Sequence, residues 1–137
     1  MNQENENKAI VRRAIERLNA RDLDGFFELF TEDATSHEVY VAEPLSRGEF
    51  RAFLGEFLQA YPDARIETVS IISEGDTVAV ENVLSATFSG EFRGTLPTHR
   101  QYQVREAVFF TLRNAKICTE RIYLDQKSIE SQLGIAG

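Results

Sequence analysis

The chain has 137 residues, enough for one domain whose core needs no disulfide or metal staple. Its formal charge is −7 and no stripe of Lys and Arg offsets it, so neither nucleic acid nor an anionic membrane is an expected partner. A single Cys allows no internal bridge, the polar start MNQENENK has no signal core, and no apolar run approaches the roughly eighteen residues of a membrane span, so a cytoplasmic protein is expected.

In chain order, residues 1–7 are polar and expected to fray. From Lys8 onward, Ile10, Val11, Ala14, Ile15 and Leu18 recur at i, i+3/i+4 and predict a helix with one buried face. Asp22 can cap a second, shorter helix running through Leu23, Phe26, Phe27 and Phe30. Residues 35–41 are a short strand candidate carrying His37, Glu38 and Tyr40. Ser46-Arg47-Gly48-Glu49 fits a capping box, and the helix it opens carries Phe50, Phe53, Leu54, Phe57, Leu58 and Tyr61 before Pro62 stops it. That face is rich in aromatic rings, which suits a wall around a cavity.

The period then switches to two. Residues 64–73 and 77–88 read as strands joined by Glu74-Gly75-Asp76, and residues 89–98, with Gly90, Gly94 and Pro97, as a loop. Residues 102–113 and 116–125 form a hairpin closed by Asn114-Ala115, where Asn tolerates the left-handed backbone of a tight turn. Residues 126–133 make a final short helix or tail. Helices segregated from a run of strands define an α+β class, a curved mixed or antiparallel sheet forming a cone with three helices on its concave side. Side chains fill part of such a cone, and the remainder can hold a small molecule.

Two polar residues interrupt otherwise apolar strand faces. Asn82 falls among Val78, Val80, Leu84, Ala86 and Phe88; Glu106 falls among Tyr102, Val104, Val108, Phe110 and Leu112. A buried amide or carboxyl must be satisfied or used, so the two either pair across the sheet or enter a pocket. Asp125 ends the last strand and would be a base if burial raised its pKa. Alternation from Ile117 sets Arg121 on the same face, however, and a strand-ending Asp is also an ordinary cap for a helix starting at Gln126. His37 is a second acid/base candidate, or else a half-buried strand histidine. Arg100 either holds a ligand carboxylate or pairs with a surface acid, and His99 beside it faces solvent. With two His and one Cys far apart, and no HExxH, CxxC, G-x-S-x-G or Walker motif, neither a metal site nor a nucleophile is expected, and Cys118 reads as core filler.

Several short motifs stand in a telling order: His37, Arg47-Gly48, Tyr61-Pro62-Asp63, Glu74-Gly75-Asp76-Thr77-Val78-Ala79-Val80, Gly90-Glu91-Phe92-Arg93-Gly94, Pro97-Thr98 with Arg100, Lys116-Ile117, Asp125 and Gln132-Leu133-Gly134. From about Ile10 to Gly134 this series resembles the SnoaL-like polyketide cyclase branch of the nuclear transport factor 2-like fold, kin to ketosteroid isomerase. The resemblance implies a homodimer paired through the outer sheet face, no metal or organic cofactor, and an aspartate acting as acid/base in an intramolecular aldol ring closure. Asp125, standing before Gln-Leu-Gly, is the residue that matches. On that reading Asp125 is the base, His37 and Asn82 polarise the carbonyl, and Glu106 is a second acid. Tyr40, Arg100 and Phe57 would contact a small apolar carbonyl substrate. The chain departs from the pattern at Glu81-Asn82, where many relatives carry Arg-Trp, at Phe88, where they carry His, and at His99, where they carry Gly. Those departures are what a non-catalytic binding or dimerisation module predicts; an epoxide-hydrolase-type enzyme is a third option.

Overall fold

Asn2 opens the first helix, its side chain accepting the N–H of Asn5, so α1 (Gln3–Asn19) begins at Gln3 and the polar start is helical instead of frayed. Val11 and Ala14 on its apolar face are wholly buried. Asp22 caps α2 (Leu23–Phe27) by accepting the N–H of Gly25. That helix stops short of Phe30, because the Leu29 carbonyl accepts the N–H of Ile117 and draws Phe30 into the sheet as the first residue of β1 (Phe30–Glu38). A two-residue strand, β2 (Leu45–Ser46), follows, and α3 (Arg47–Ala60) begins with the expected capping box between Ser46 and Glu49. Strands β3 (Arg65–Glu74), β4 (Thr77–Thr87), β5 (Gln101–Arg113) and β6 (Lys116–Leu124) precede a last helix, α4 (Gln126–Leu133).

This computed structural model describes residues 2–39 and 41–135. Its six strands form one sheet in the order β2-β1-β6-β5-β4-β3, with β1 parallel to β6 and the other neighbours antiparallel. The expected α+β architecture holds, with a curved, open sheet and four helices instead of three. Asn114 and Ala115 both adopt positive φ, 52° and 63°, as a two-residue hairpin turn requires.

One irregularity governs the site. In the β5–β6 ladder Thr111 faces Thr119 but Leu112 faces Ile117, so Cys118 is an extra residue on β6 and forms a β-bulge. Its thiol donates to the Thr111 carbonyl at 3.3 Å. Past the bulge the alternation is inverted: Ile117 points to the core, and then Glu120, not Thr119, does so.

The inward sheet face and the helices enclose two groups of core side chains. One joins α1, α2 and the start of α3 to Val78, Val80, Val108, Phe110 and Ile117, with Phe26, Phe27, Phe30 and Phe50 in mutual ring contact. The other joins the end of α3 to Phe88, Tyr102 and the Ile129 and Leu133 of α4. Ser89 and Gly90 donate their N–H groups to the Ala60 carbonyl, holding the β4–β5 connection on the end of α3. A side chain at Gly90 would come within 2.9 Å of the Gln59 carbonyl, so only glycine allows that approach.

Candidate active site

Where the two core groups meet, they leave a cavity of about 310 Å³. Helix α3 contributes Phe50, Phe53, Leu54 and Phe57, and Tyr61 follows at its C-cap. Leu84, Phe88 and Tyr102 form the sheet side, Phe92 comes from the β4–β5 loop, and Ile129 and Leu133 of α4 close one end. The rings are stacked on one another: Phe57 lies 4.7 Å from Tyr61, and Tyr61 lies 5.2 Å from Phe88.

Into this apolar space project three glutamates, each from a different strand: Glu38, Glu106 and Glu120. They are 6%, 8% and 6% exposed. On β1 the inward residues are Ala34, Ser36 and Glu38. On β5 Glu106 occupies the inward series of Tyr102, Val108 and Phe110, and on β6 the bulge turns Glu120 inward.

Each carboxyl has an anchoring partner. Thr68 donates its hydroxyl to Asn82 Oδ1 at 2.9 Å, which fixes the amide so that Asn82 Nδ2 donates to Glu106 Oε2, also at 2.9 Å. Ser36, fully buried, sits 3.3 Å from Glu38 Oε1 and 3.4 Å from Glu120 Oε2. A hydroxyl has one proton, so a serine between two carboxyl groups is best satisfied when one of them is itself a protonated donor. Glu120 is that member. Burial, then the charges of Glu38 and Glu106, push its pKa well above the ordinary 4.5, and the Ser36 hydrogen bond only partly opposes them. Burial also raises Glu106, against the hydrogen bond from Asn82. The Tyr61 phenol is raised by burial as well.

The expected site residues divide sharply in position. Asn82 and Glu106 are brought together: they pair across the sheet, and of the two Glu106 lines the cavity while Asn82 stands behind it. Phe57 is in the aromatic wall. His37 is not in the cavity lining; it falls between the inward Ser36 and Glu38, contacts Thr35 Oγ1 at 3.1 Å and is paired in the ladder with Arg121 on the outer face. Asp125 is exposed and caps α4, accepting the Ser128 N–H at 3.0 Å, and it too is absent from the lining. Arg121 lies over the Phe109 ring on the outer face, and among the described residues no ion pair joins it to Asp125. Arg100 is exposed and packs against Gly134, where a side chain would come within 2.8 Å of its guanidinium. Tyr40 lies outside the described residues. Glu38 and Glu120 are the residues the sequence reading missed. Glu38 alternates with Ala34 and Ser36 on a strand without an apolar stripe to mark its buried side, and Glu120 was hidden by the bulge.

Among the described residues no three His, Cys, Asp or Glu side chains are grouped closely enough to hold a metal ion, and no helix is long and apolar enough to cross a membrane.

A curved, open sheet wrapped by helices is the plan of a nuclear transport factor 2-like domain, and the solved structures this chain matches share that fold. AclR, a hydroxylase candidate from Streptomyces galilaeus, superposes with a TM-score of 0.87 at 23% identity, over 96% of this chain and 98% of that one. A SnoaL-like polyketide cyclase candidate from Jannaschia sp. CCS1 gives 0.88 at 20% identity, over 98% and 95%. IdmH, a polyketide cyclase candidate from Streptomyces antibioticus, gives 0.82 at 25% identity, over 94% and 99%. The sequence model of the SnoaL-like polyketide cyclases matches residues 8–133, and the chain belongs to that family.

Proposed function

We propose that the protein is an acid/base enzyme acting next to the carbonyl of a small, largely apolar molecule, with isomerisation or intramolecular aldol ring closure as the outcome. The observation that carries this reading is the presence of Glu106 and Glu120 in one aromatic cavity, one held by an amide donor and the other pushed towards its neutral form by burial and by the charges of Glu38 and Glu106. Burial raises both acids, Glu120 the further, so the two divide into base and acid, with Glu106 the one that ionises first. Glu106 Oε2 is engaged by Asn82, which leaves Oε1 to take a proton from the carbon beside the carbonyl. When substrate binds, the Glu120 proton turns from Ser36 to the carbonyl oxygen and stabilises the enolate as charge develops there, beside aromatic walls that limit access of water. The enolate carbon then either regains a proton at a new position or attacks a second carbonyl to close a ring. His37 and Asp125 take no part in this scheme, since neither lines the cavity. A homodimer joined through the outer sheet face, and a cytoplasmic location, go with the same reading.

The test uses 2-tetralone, a bicyclic ketone with an acidic C–H next to its carbonyl, dissolved in deuterated buffer. Wild-type protein accelerates deuterium entry at that carbon, read by proton NMR, and Glu106→Gln lowers the rate roughly 10²- to 10⁴-fold, the usual share of a general base. Unchanged exchange in a folded Glu106→Gln protein would remove Glu106 from the mechanism.

A further inference from the structure

The charge of the cavity is one-sided. Among the described residues its lining holds four glutamates, Glu38, Glu106, Glu120 and Glu130, and no Lys, Arg or His. Arg93 touches the aromatic wall, stacked over Phe53 at 5.2 Å, but it is paired with Glu56 at 2.9 Å and does not line the space. Glu106 and Glu120 are more than nine-tenths buried and line the cavity, and among the described residues each has one oxygen engaged: Asn82 holds Glu106 Oε2, and Ser36 holds Glu120 Oε2. The cavity that both acids line is walled by the rings of Phe57, Tyr61 and Tyr102. Acceptors without donors, set among electron-rich rings, are what a cation satisfies. A bare metal ion does not suit, because the acids are not grouped closely enough to ligate one. An organic ammonium group, larger and carrying its own apolar skeleton, spans the distance between acids and rings.

We propose that the ligand this cavity selects is a hydrophobic compound bearing a protonated amine, so that the carbonyl substrate of the reading above is an amine-bearing one. The inference rests on that reading only in taking the cavity as the ligand site. An ammonium group among these acids opposes the charge repulsion that, after burial, raises Glu120: the repulsion from Glu38 and Glu106 is offset by the nearby positive charge, and the carboxylate oxygens gain N–H donors. Binding of an already charged amine therefore drives a proton off the protein into the buffer. The chain's net charge of −7 draws the same class of ligand from a distance. A carboxylate-bearing ligand meets the opposite field at every step.

The experiment compares three probes on one bicyclic skeleton by isothermal titration calorimetry: 2-aminotetralin, neutral 2-tetralone, and the carboxylate of 1,2,3,4-tetrahydro-2-naphthoic acid. The amine is expected to bind at least about tenfold more tightly than the ketone, and the carboxylate more weakly than either. Repeating the amine titration in two buffers of different ionisation enthalpy is expected to show release of up to about one proton per amine bound. Glu120→Gln and Glu106→Gln, whose amides keep the shape of a protonated acid, are each expected to reduce the amine-to-ketone ratio, and proton release disappears in Glu120→Gln. Ketone binding as tight as the amine, or amine binding without proton release, overturns the proposal and leaves the acid/base reading standing. Failure of all three probes to bind overturns both.

Discussion

Ser36 has one hydroxyl proton and two carboxyl neighbours, so the trio is satisfied best when one carboxyl carries its own proton. Because the folded-state pKa of Glu120 is raised, native protein binds its proton more tightly than the unfolded chain does. The stability this lends is fully present below the ordinary value of 4.5 and is lost as pH rises through the folded value. Glu120→Gln carries no proton to lose. Its melting temperature should therefore fall less than that of wild type between about pH 5 and pH 8, measured by differential scanning calorimetry; parallel curves would show that Glu120 ionises without penalty. Asn82 makes a second residue-level case. Asn82→Ala leaves Glu106 and Thr68 without their shared partner in a site where Asn82 itself is 2% exposed, and should cost about 1–3 kcal/mol in urea denaturation. Loss of the amide donor also removes the one influence that lowers the pKa of Glu106. The acid limb of the kcat/KM profile for ketone exchange should then move to higher pH; a limb that stays in place would mean that another group sets it.

Among the elements, α4 separates a structural carboxylate from a chemical one. Asp125 accepts the Ser128 N–H at the N-cap of α4, whose Ile129 and Leu133 close the cavity. Asp125→Ala should cost about 1 kcal/mol of stability, while Asp125→Asn, which caps as well, should cost little. Ketone exchange in Asp125→Asn should stay within about twofold of wild type; a loss of roughly a hundredfold or more in a folded variant would return the base to Asp125, as the family pattern implies. The element order, the capping box of α3, the hairpin at Asn114-Ala115 and the aromatic face carrying Phe57 were all legible in the sequence, because each rests on local spacing or local backbone chemistry. Glu106 and Asn82 were legible for the same reason, as single polar breaks in long apolar stripes. The two strands that were misread share a physical cause. Neither β1 nor β6 has an unbroken apolar stripe to set its parity, so Ala34, Ser36 and Glu38 could not be told from Thr35 and His37 as the buried set. On β6 the extra residue at Cys118 inverts the alternation, which put Asp125 on the candidate face and Glu120 off it. A bulge depends on the fit of neighbouring strands, not on the residues of one strand, and a single sequence does not announce it.

At the scale of the whole molecule, the sheet has a second face that no helix covers among the described residues of the single chain. Ile72, Ala79, Phe109 and Arg121 lie across it in ladder register, with Ile72 66% exposed, and Tyr123 packs edge-on against Phe109 at 6.0 Å. The dimer proposed for this face predicts a mass of two chains in sedimentation equilibrium, and Phe109→Glu should shift the population to single chains without disturbing the cavity on the opposite face; a wild type that sediments as one chain would contradict it. The curved sheet sets its charge and its aromatic surface on the inner side, where acid groups carried by β1, β5 and β6 meet rings carried by α3. The most direct measurement of that arrangement is a ¹³C NMR titration of the glutamate δ-carbons, assigned with Glu106→Gln and Glu120→Gln. Glu120 should titrate latest, still largely protonated after the exposed glutamates have ionised, with Glu106 between them. Titration of both buried acids together with the surface glutamates, near 4.5, would contradict the division into acid and base on which the account is built.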